Sequence, residues 1–166
     1  IMAAKLLERE DARVTEASVR AGLRTVRHPA RFEILSYGSV PVIIDGAHNP
    51  AGMRALRAGL DAYFPDLPRV FLLGILKDKD IAAMLQALLR PGDQVVTVRP
   101  NSERAATADL VAAVAAGMGL STRACSDIDT ALAEALTRAR TGNALLVAAG
   151  SLYLVGGLRA SLVAGR

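Results

Sequence analysis

Short apolar runs recur about every 25 residues, separated by amphipathic stretches, and this alternation limits the chain to very few folds. The runs are Val40-Pro41-Val42-Ile43-Ile44, Val70-Phe71-Leu72-Leu73, Val95-Val96-Thr97-Val98 and Leu145-Leu146-Val147-Ala148, with a weaker one at 122–125. Continuous runs suit strands buried on both faces, as in a parallel sheet covered by helices. Between them, apolar residues step at helical spacing. Met53, Leu56 and Leu60 form one stripe, and Ile81, Met84, Leu85 and Leu88 a second. Leu110, Val111 and Val114 form a third, and Ile128, Leu132 and Leu136 a fourth. A strand–helix–strand crossover needs this spacing. The expectation is an α/β fold: a three-layer, open, mostly parallel sheet of about six strands with helices on both faces, Rossmann-like. The Ala-rich stretch 105–117 reads as a small-residue helix lying close to that sheet.

One antiparallel edge strand is also expected. Phe32, Ile34 and Tyr37 alternate with Arg31, Glu33 and Ser36, and Gly38-Ser39 supplies a turn into the 40–44 run. Before it, residues 1–27 read as helix, with Thr15-Glu16-Ala17-Ser18 as a start signal. His28-Pro29 breaks that helix. The division is therefore a helical linker segment at 1–27, leading out of a preceding domain, and an α/β domain at 28–166. The opening Ile1-Met2 followed by a charged helix reads as a piece of something longer.

Composition removes several classes. Apolar residues are 52% and charged residues 22%, which excludes a disordered chain. Aromatics are 4% with no Trp, leaving little for base stacking, and the seventeen Arg behind the net charge of +4 are scattered. No nucleic-acid partner is expected. The single Cys125 excludes an internal disulfide and a cysteine metal cluster. The apolar stretch 144–158, free of charged residues, falls short of the roughly 20 residues that span a bilayer. No membrane role and a cytoplasmic location are expected.

Ligands of such sheets bind where strands end and helices begin. Three of those edges carry unusual residues. After the 40–44 run comes Asp45-Gly46-Ala47-His48-Asn49-Pro50. Asn49 suits a helix N-cap and Pro50 its first turn. That leaves Asp45 and His48, which either bind loop amides and face solvent or serve a ligand. After the 70–73 run comes Gly74-Ile75-Leu76-Lys77-Asp78-Lys79-Asp80. Asp78 or Asp80 suits a cap, while Lys77 opposes the helix dipole and so invites an anion. After the 145–148 run comes Ala149-Gly150-Ser151-Leu152-Tyr153, with Ser151 at an N-cap position beside amides that could hold a carboxylate or phosphate. There is no G-x-x-x-x-G-K-[ST], no G-x-G-x-x-G and no metal-ligand spacing.

These residues resemble a known family. Pro29-Ala30-Arg31-Phe32-Glu33, the Asp45–Pro50 hexapeptide, Leu73-Gly74-Ile75-Leu76-Lys77-Asp78-Lys79-Asp80 and Gly150-Ser151-Leu152-Tyr153-Leu154-Val155-Gly156 are similar to motifs of folylpolyglutamate synthases. These ATP-dependent ligases of the Mur superfamily are often also dihydrofolate synthases. The resemblance covers the carboxyl-terminal domain of such an enzyme. It implies addition of L-glutamate to the γ-carboxyl of folate through an acyl phosphate, with dihydropteroate as a further possible acceptor. ATP and Mg²⁺ are implied, held mainly by an amino-terminal ATPase domain that this chain lacks, so the chain alone is expected to be inactive. It further implies that Arg31 and Asp45 contact ATP. His48 and Ser151 become candidates for the catalytic groups near glutamate or the transferring phosphoryl, and Lys77 for an anion contact. Neither Asp45 nor His48 is expected to matter much for folding. The family usually has Pro-Gly-Arg where this chain has Pro29-Ala30-Arg31, and Ala lacks glycine's freedom at positive φ. The competing readings are another Mur-type amino-acid ligase, a non-catalytic nucleotide or anion module, and a purely structural domain.

Overall fold

The computed structural model describes residues 14–26 and 28–164. Expectations for 1–13, for residue 27 and for 165–166 lie outside the described residues. Helix α1 (Glu16–Thr25) starts at Thr15, whose side chain and that of Ser18 form a reciprocal capping box. None of its residues is buried. Strands β1 (Glu33–Tyr37) and β2 (Val40–Ile44) form an antiparallel hairpin. There follow α2 (Pro50–Tyr63), β3 (Arg69–Leu73), α3 (Ile81–Leu88), β4 (Gln94–Val98), α4 (Ala108–Gly117), β5 (Ser121–Cys125), α5 (Ile128–Thr141), β6 (Leu145–Ala149) and α6 (Leu152–Ala164).

The six strands make one sheet in the order β1-β2-β6-β3-β4-β5. All neighbours are parallel except β1 on β2. The α/β expectation with one antiparallel edge strand holds. The two central strands, β3 and β6, are buried at all five positions because helices cover both faces. On one face, Met53, Leu56 and Leu60 of α2, Met84, Leu85 and Leu88 of α3, and Val111 and Ala115 of α4 pack on Phe71, Leu73 and Val147. On the other, α5 and α6 cover Val42, Ile44, Leu72, Val96 and Leu146. Burying each large side chain contributes about 1.5–3 kcal/mol, which makes these two layers the main source of stability.

Two periodicity readings are corrected. In β1 the inward side chain is Leu35, while Ile34 is 59% exposed. As an edge strand β1 meets a helix on one face only, so the opposite face stays wet. Phe32 lies before the strand. In α4, Leu110 is 49% exposed and the buried face is Ala108, Val111, Ala112 and Ala115. Small side chains there bring the helix close enough for the Thr97 hydroxyl to donate to the Ala108 carbonyl at 2.8 Å.

Polar groups close the amino edge of the sheet. Arg57 pairs with the buried Asp93 at 2.9 Å, and Asp61 joins Arg57 to Arg69. Burial raises the Asp93 carboxyl above its ordinary value, against the opposing pull of the Arg90 amide and of Arg57. No helix among the described residues is long and apolar enough to cross a membrane.

Candidate functional site

Because β2, β6 and β3 run parallel, their carboxyl ends share one edge. Antiparallel β1 begins at that same edge, with Glu33 opposite Ile44, so residues 28–32 arrive beside the hexapeptide. Local chemistry builds the rest. Asn49 caps α2 by accepting from Gly52 N at 2.8 Å, Pro50 fills the first helical turn, and Asp80 caps α3 through Ala83 N. Hydrogen bonds then fasten the loops together: Gly46 N to Ala30 O at 2.8 Å, Asp45 N to Ala148 O at 3.0 Å, and Gly150 N to Ala47 O at 3.0 Å. Gly150 has φ of 112° and lies so near the Gly74 carbonyl that a Cβ would stand 2.8 Å from its oxygen. Only glycine satisfies both conditions there.

Three of the expected residues meet. Arg31, Asp45 and His48 line one open cavity of about 420 Å³ with Phe32, Gly46 and Asn49. The Asp45 carboxylate is half-buried and committed on both oxygens: Oδ2 accepts Phe32 N and Oδ1 accepts Ala47 N, each at 2.7 Å. It therefore joins the hexapeptide to the turn that carries Arg31. The expectation that Asp45 matters little for folding is revised on this ground. His48 Nδ1 lies 2.8 Å from the Gly46 carbonyl, which can only accept. Nδ1 is thus the donor, and Nε2 makes no hydrogen bond to the described residues. Arg31 is exposed, with one long contact of 3.4 Å from its guanidinium to Ala30 O. Its guanidinium lies against the bare Cα of Gly46, where any side chain would collide with it and with Leu152.

Ser151 and Lys77 stand apart from this cavity. Ser151 directly follows the Gly150 contact, but its side chain is 1% exposed and its hydroxyl accepts Leu154 N at 3.1 Å, capping α6. Lys77 is exposed at the end of β3, two strands from β2. Its amide donates to Arg104 O at 2.7 Å. Next to it, desolvation pushes the Asp78 carboxyl up, but its bonds to Lys79 and Arg104 together hold it below its usual value.

The backbone around Arg31 is unusual. Ala30 and Phe32 have φ of 55° and 46°. Position 30, where the resemblance expects glycine, is left-handed here although alanine fills it, and such strain at non-glycine residues clusters at functional sites. Sequence reasoning also missed the packing of Phe32 on Tyr63, with ring centroids 5.8 Å apart, and the ion pair between Glu33 and Arg159. Both join residues distant in the chain, for which no local signal exists. No group of three His, Cys, Asp or Glu among the described residues has metal-binding geometry.

The probable bifunctional folylpolyglutamate synthase/dihydropteroate synthase of Halobacterium salinarum is 36% identical over 92% of this chain, which covers 18% of that protein. The folylpolyglutamate synthase of Lacticaseibacillus casei is 34% identical over 92% of the chain, covering 34% of it. The solved Mycobacterium tuberculosis folylpolyglutamate synthase complexed with ADP superposes with a TM-score of 0.81 and 31% identity, covering 88% of this chain and 35% of that one. The chain thus spans between about a fifth and a third of the length of these relatives. Residues 30–152 match the family described as Mur ligase, glutamate ligase domain, and the chain belongs to that family.

Proposed function

We propose that this chain is the carboxyl-terminal domain of an ATP-dependent ligase that joins L-glutamate to the γ-carboxyl of a folate, with dihydropteroate as a possible second acceptor. The observation that carries this reading is the meeting of Arg31, Asp45 and His48 in one cavity at the carboxyl edge. A carboxylate is a poor electrophile, so ATP first phosphorylates it, and the glutamate amine then attacks the acyl phosphate and expels phosphate. Charge on the phosphoryl oxygens favours a planar guanidinium, and Arg31 is an exposed one at the cavity wall. Each Asp45 oxygen already takes one amide, and its remaining lone pairs suit a nucleotide hydroxyl. His48 Nε2 is the free ring nitrogen for the glutamate or the transferring phosphoryl. Ser151 acts through the capped start of α6, whose first amides favour an anion, and Lys77 adds positive charge farther along the edge.

Residues 28–166 form the domain, and 1–27 lead into it from an amino-terminal ATPase domain. The uncovered apolar side chains of α1 and of the residue that ends it, with Leu23 54% and Val26 64% exposed, support that reading. No three carboxylate, imidazole or thiol groups among the described residues converge to hold a metal of their own. Mg²⁺ is accordingly assigned to the ATPase domain. Closure of the two domains would exclude water from the acyl phosphate. A cytoplasmic setting suits the use of ATP and the unpaired Cys125.

The test is glutamate ligation by the complete ligase, with ATP varied. Arg31→Ala should raise the KM for ATP on the order of tenfold or more, the loss of a hydrogen bond between charged groups. Unchanged ATP kinetics would refute the assignment.

A further inference from the structure

We propose that Glu33 and Arg159 are positioning residues that hold the Arg31 turn in shape. The proposal rests on the reading of Arg31 as a nucleotide contact. Arg31 lies between two residues at positive φ, Ala30 at 55° and Phe32 at 46°. Such backbone persists only where its surroundings over-determine it. The Phe32 side is held by Asp45. The Ala30 side is held twice: Gly46 N donates to its carbonyl at 2.8 Å, and its own N–H donates to Glu33 Oε2 at 2.8 Å.

Glu33 keeps that orientation because Arg159 grips it. Arg159 Nε donates to both carboxylate oxygens at 3.2 and 3.0 Å, and Nη2 donates to Oε1 at 2.9 Å. A planar fork fixes a carboxylate in orientation as well as position, which a lysine would not do. Arg159 belongs to α6, the helix whose start is tied to the hexapeptide through Gly150 N and Ala47 O. One rigid helix therefore meets the hexapeptide at its first turn and the Arg31 turn two turns later. A half-exposed ion pair adds little to global stability. Its effect is local, on where the guanidinium of Arg31 stands.

The experiment measures steady-state ligation by the complete ligase, varying ATP and then glutamate, beside thermal melts. Glu33→Gln and Arg159→Ala should each raise the KM for ATP roughly three- to tenfold, since misplacement of a binding group acts on the step it serves. The KM for glutamate and the melting temperature should move little, and Arg159→Lys should lie between wild type and Arg159→Ala. The double variant Glu33→Gln/Arg159→Ala should be no worse than the poorer single variant, as residues acting as one unit are not additive. Arg31→Ala runs alongside. If it raises the KM for ATP while the Glu33 and Arg159 variants leave it unchanged, the positioning role is overturned and the Arg31 assignment stands. If Arg31→Ala also leaves it unchanged, both fall. Activity lost only in proportion to folded protein overturns the positioning role as well.

Discussion

The carboxylate of Asp45 accepts the backbone N–H of Phe32 at 2.7 Å, across thirteen residues of sequence. Its other oxygen takes Ala47 N. The acidic residue of the hexapeptide is therefore a clamp between two loops as well as a candidate nucleotide contact.

Replacing Asp45 by Ala strands both amides, and each unsatisfied group costs about 1–3 kcal/mol. Asp45→Asn turns one acceptor into a donor facing an N–H and should be nearly as costly. Denaturant melts of both variants are expected to show a stability loss of at least about 1 kcal/mol, together with weaker ATP use. Melts indistinguishable from wild type would mean that the clamp contributes nothing.

Ala30 occupies a left-handed conformation with its side chain buried. A non-glycine residue there costs on the order of 1 kcal/mol or more. Ala30→Gly removes that cost but loosens the unfolded chain, which offsets part of the gain. The expected net effect is a stabilisation of up to about 1 kcal/mol, read as a higher denaturation midpoint at unchanged m-value. A lower midpoint would show that the alanine is unstrained.

The two nitrogens of His48 can be tested separately. Asn places an amide donor near the Nδ1 position, so His48→Asn should keep the bond to the Gly46 carbonyl and lose the Nε2 function. Turnover or the glutamate response should then fall on the order of ten- to a hundredfold, with ATP binding affected less. His48→Gln should retain more activity because its amide reaches toward the Nε2 position. Steady-state kinetics in the complete ligase decides, and equal activity of both variants with wild type would remove His48 from the chemistry.

Asp127 caps α5 by accepting Thr130 N at 2.8 Å, and the Ser126 hydroxyl donates to it at 2.6 Å. That hydroxyl, then the Thr130 amide and hydroxyl, hold its carboxyl down to about 2, from an ordinary 3.8. The folded value lies below the unfolded one, so the ionised group stabilises the fold fully above about pH 4. This contribution fades as pH falls through about 2. Asp127→Asn keeps a capping oxygen but cannot titrate. The melting-temperature advantage of wild type over Asp127→Asn should be constant above about pH 5 and shrink between about pH 4 and 2. An advantage that grew on acidification would contradict the sign.

Much of the architecture was legible because it is encoded locally. Apolar runs and helical stripes identified the strands and helices, and the caps Thr15 and Asn49 were readable within four residues of sequence, while the structure chose Asp80 over Asp78 for the third. The hexapeptide marked the edge where Arg31, Asp45 and His48 meet. Tertiary structure decided what depends on distant partners. It set β6 between β2 and β3, turned Leu35 rather than Ile34 inward, and left Lys77 outside the cavity. It also joined Asp45 to Phe32, and Glu33 to Arg159 across 126 residues. Periodicity reports which side of an element is apolar, and a cap reports where a helix begins. Neither says which neighbour arrives opposite, because that is set by strand order and by the packing of helices on each face of the sheet.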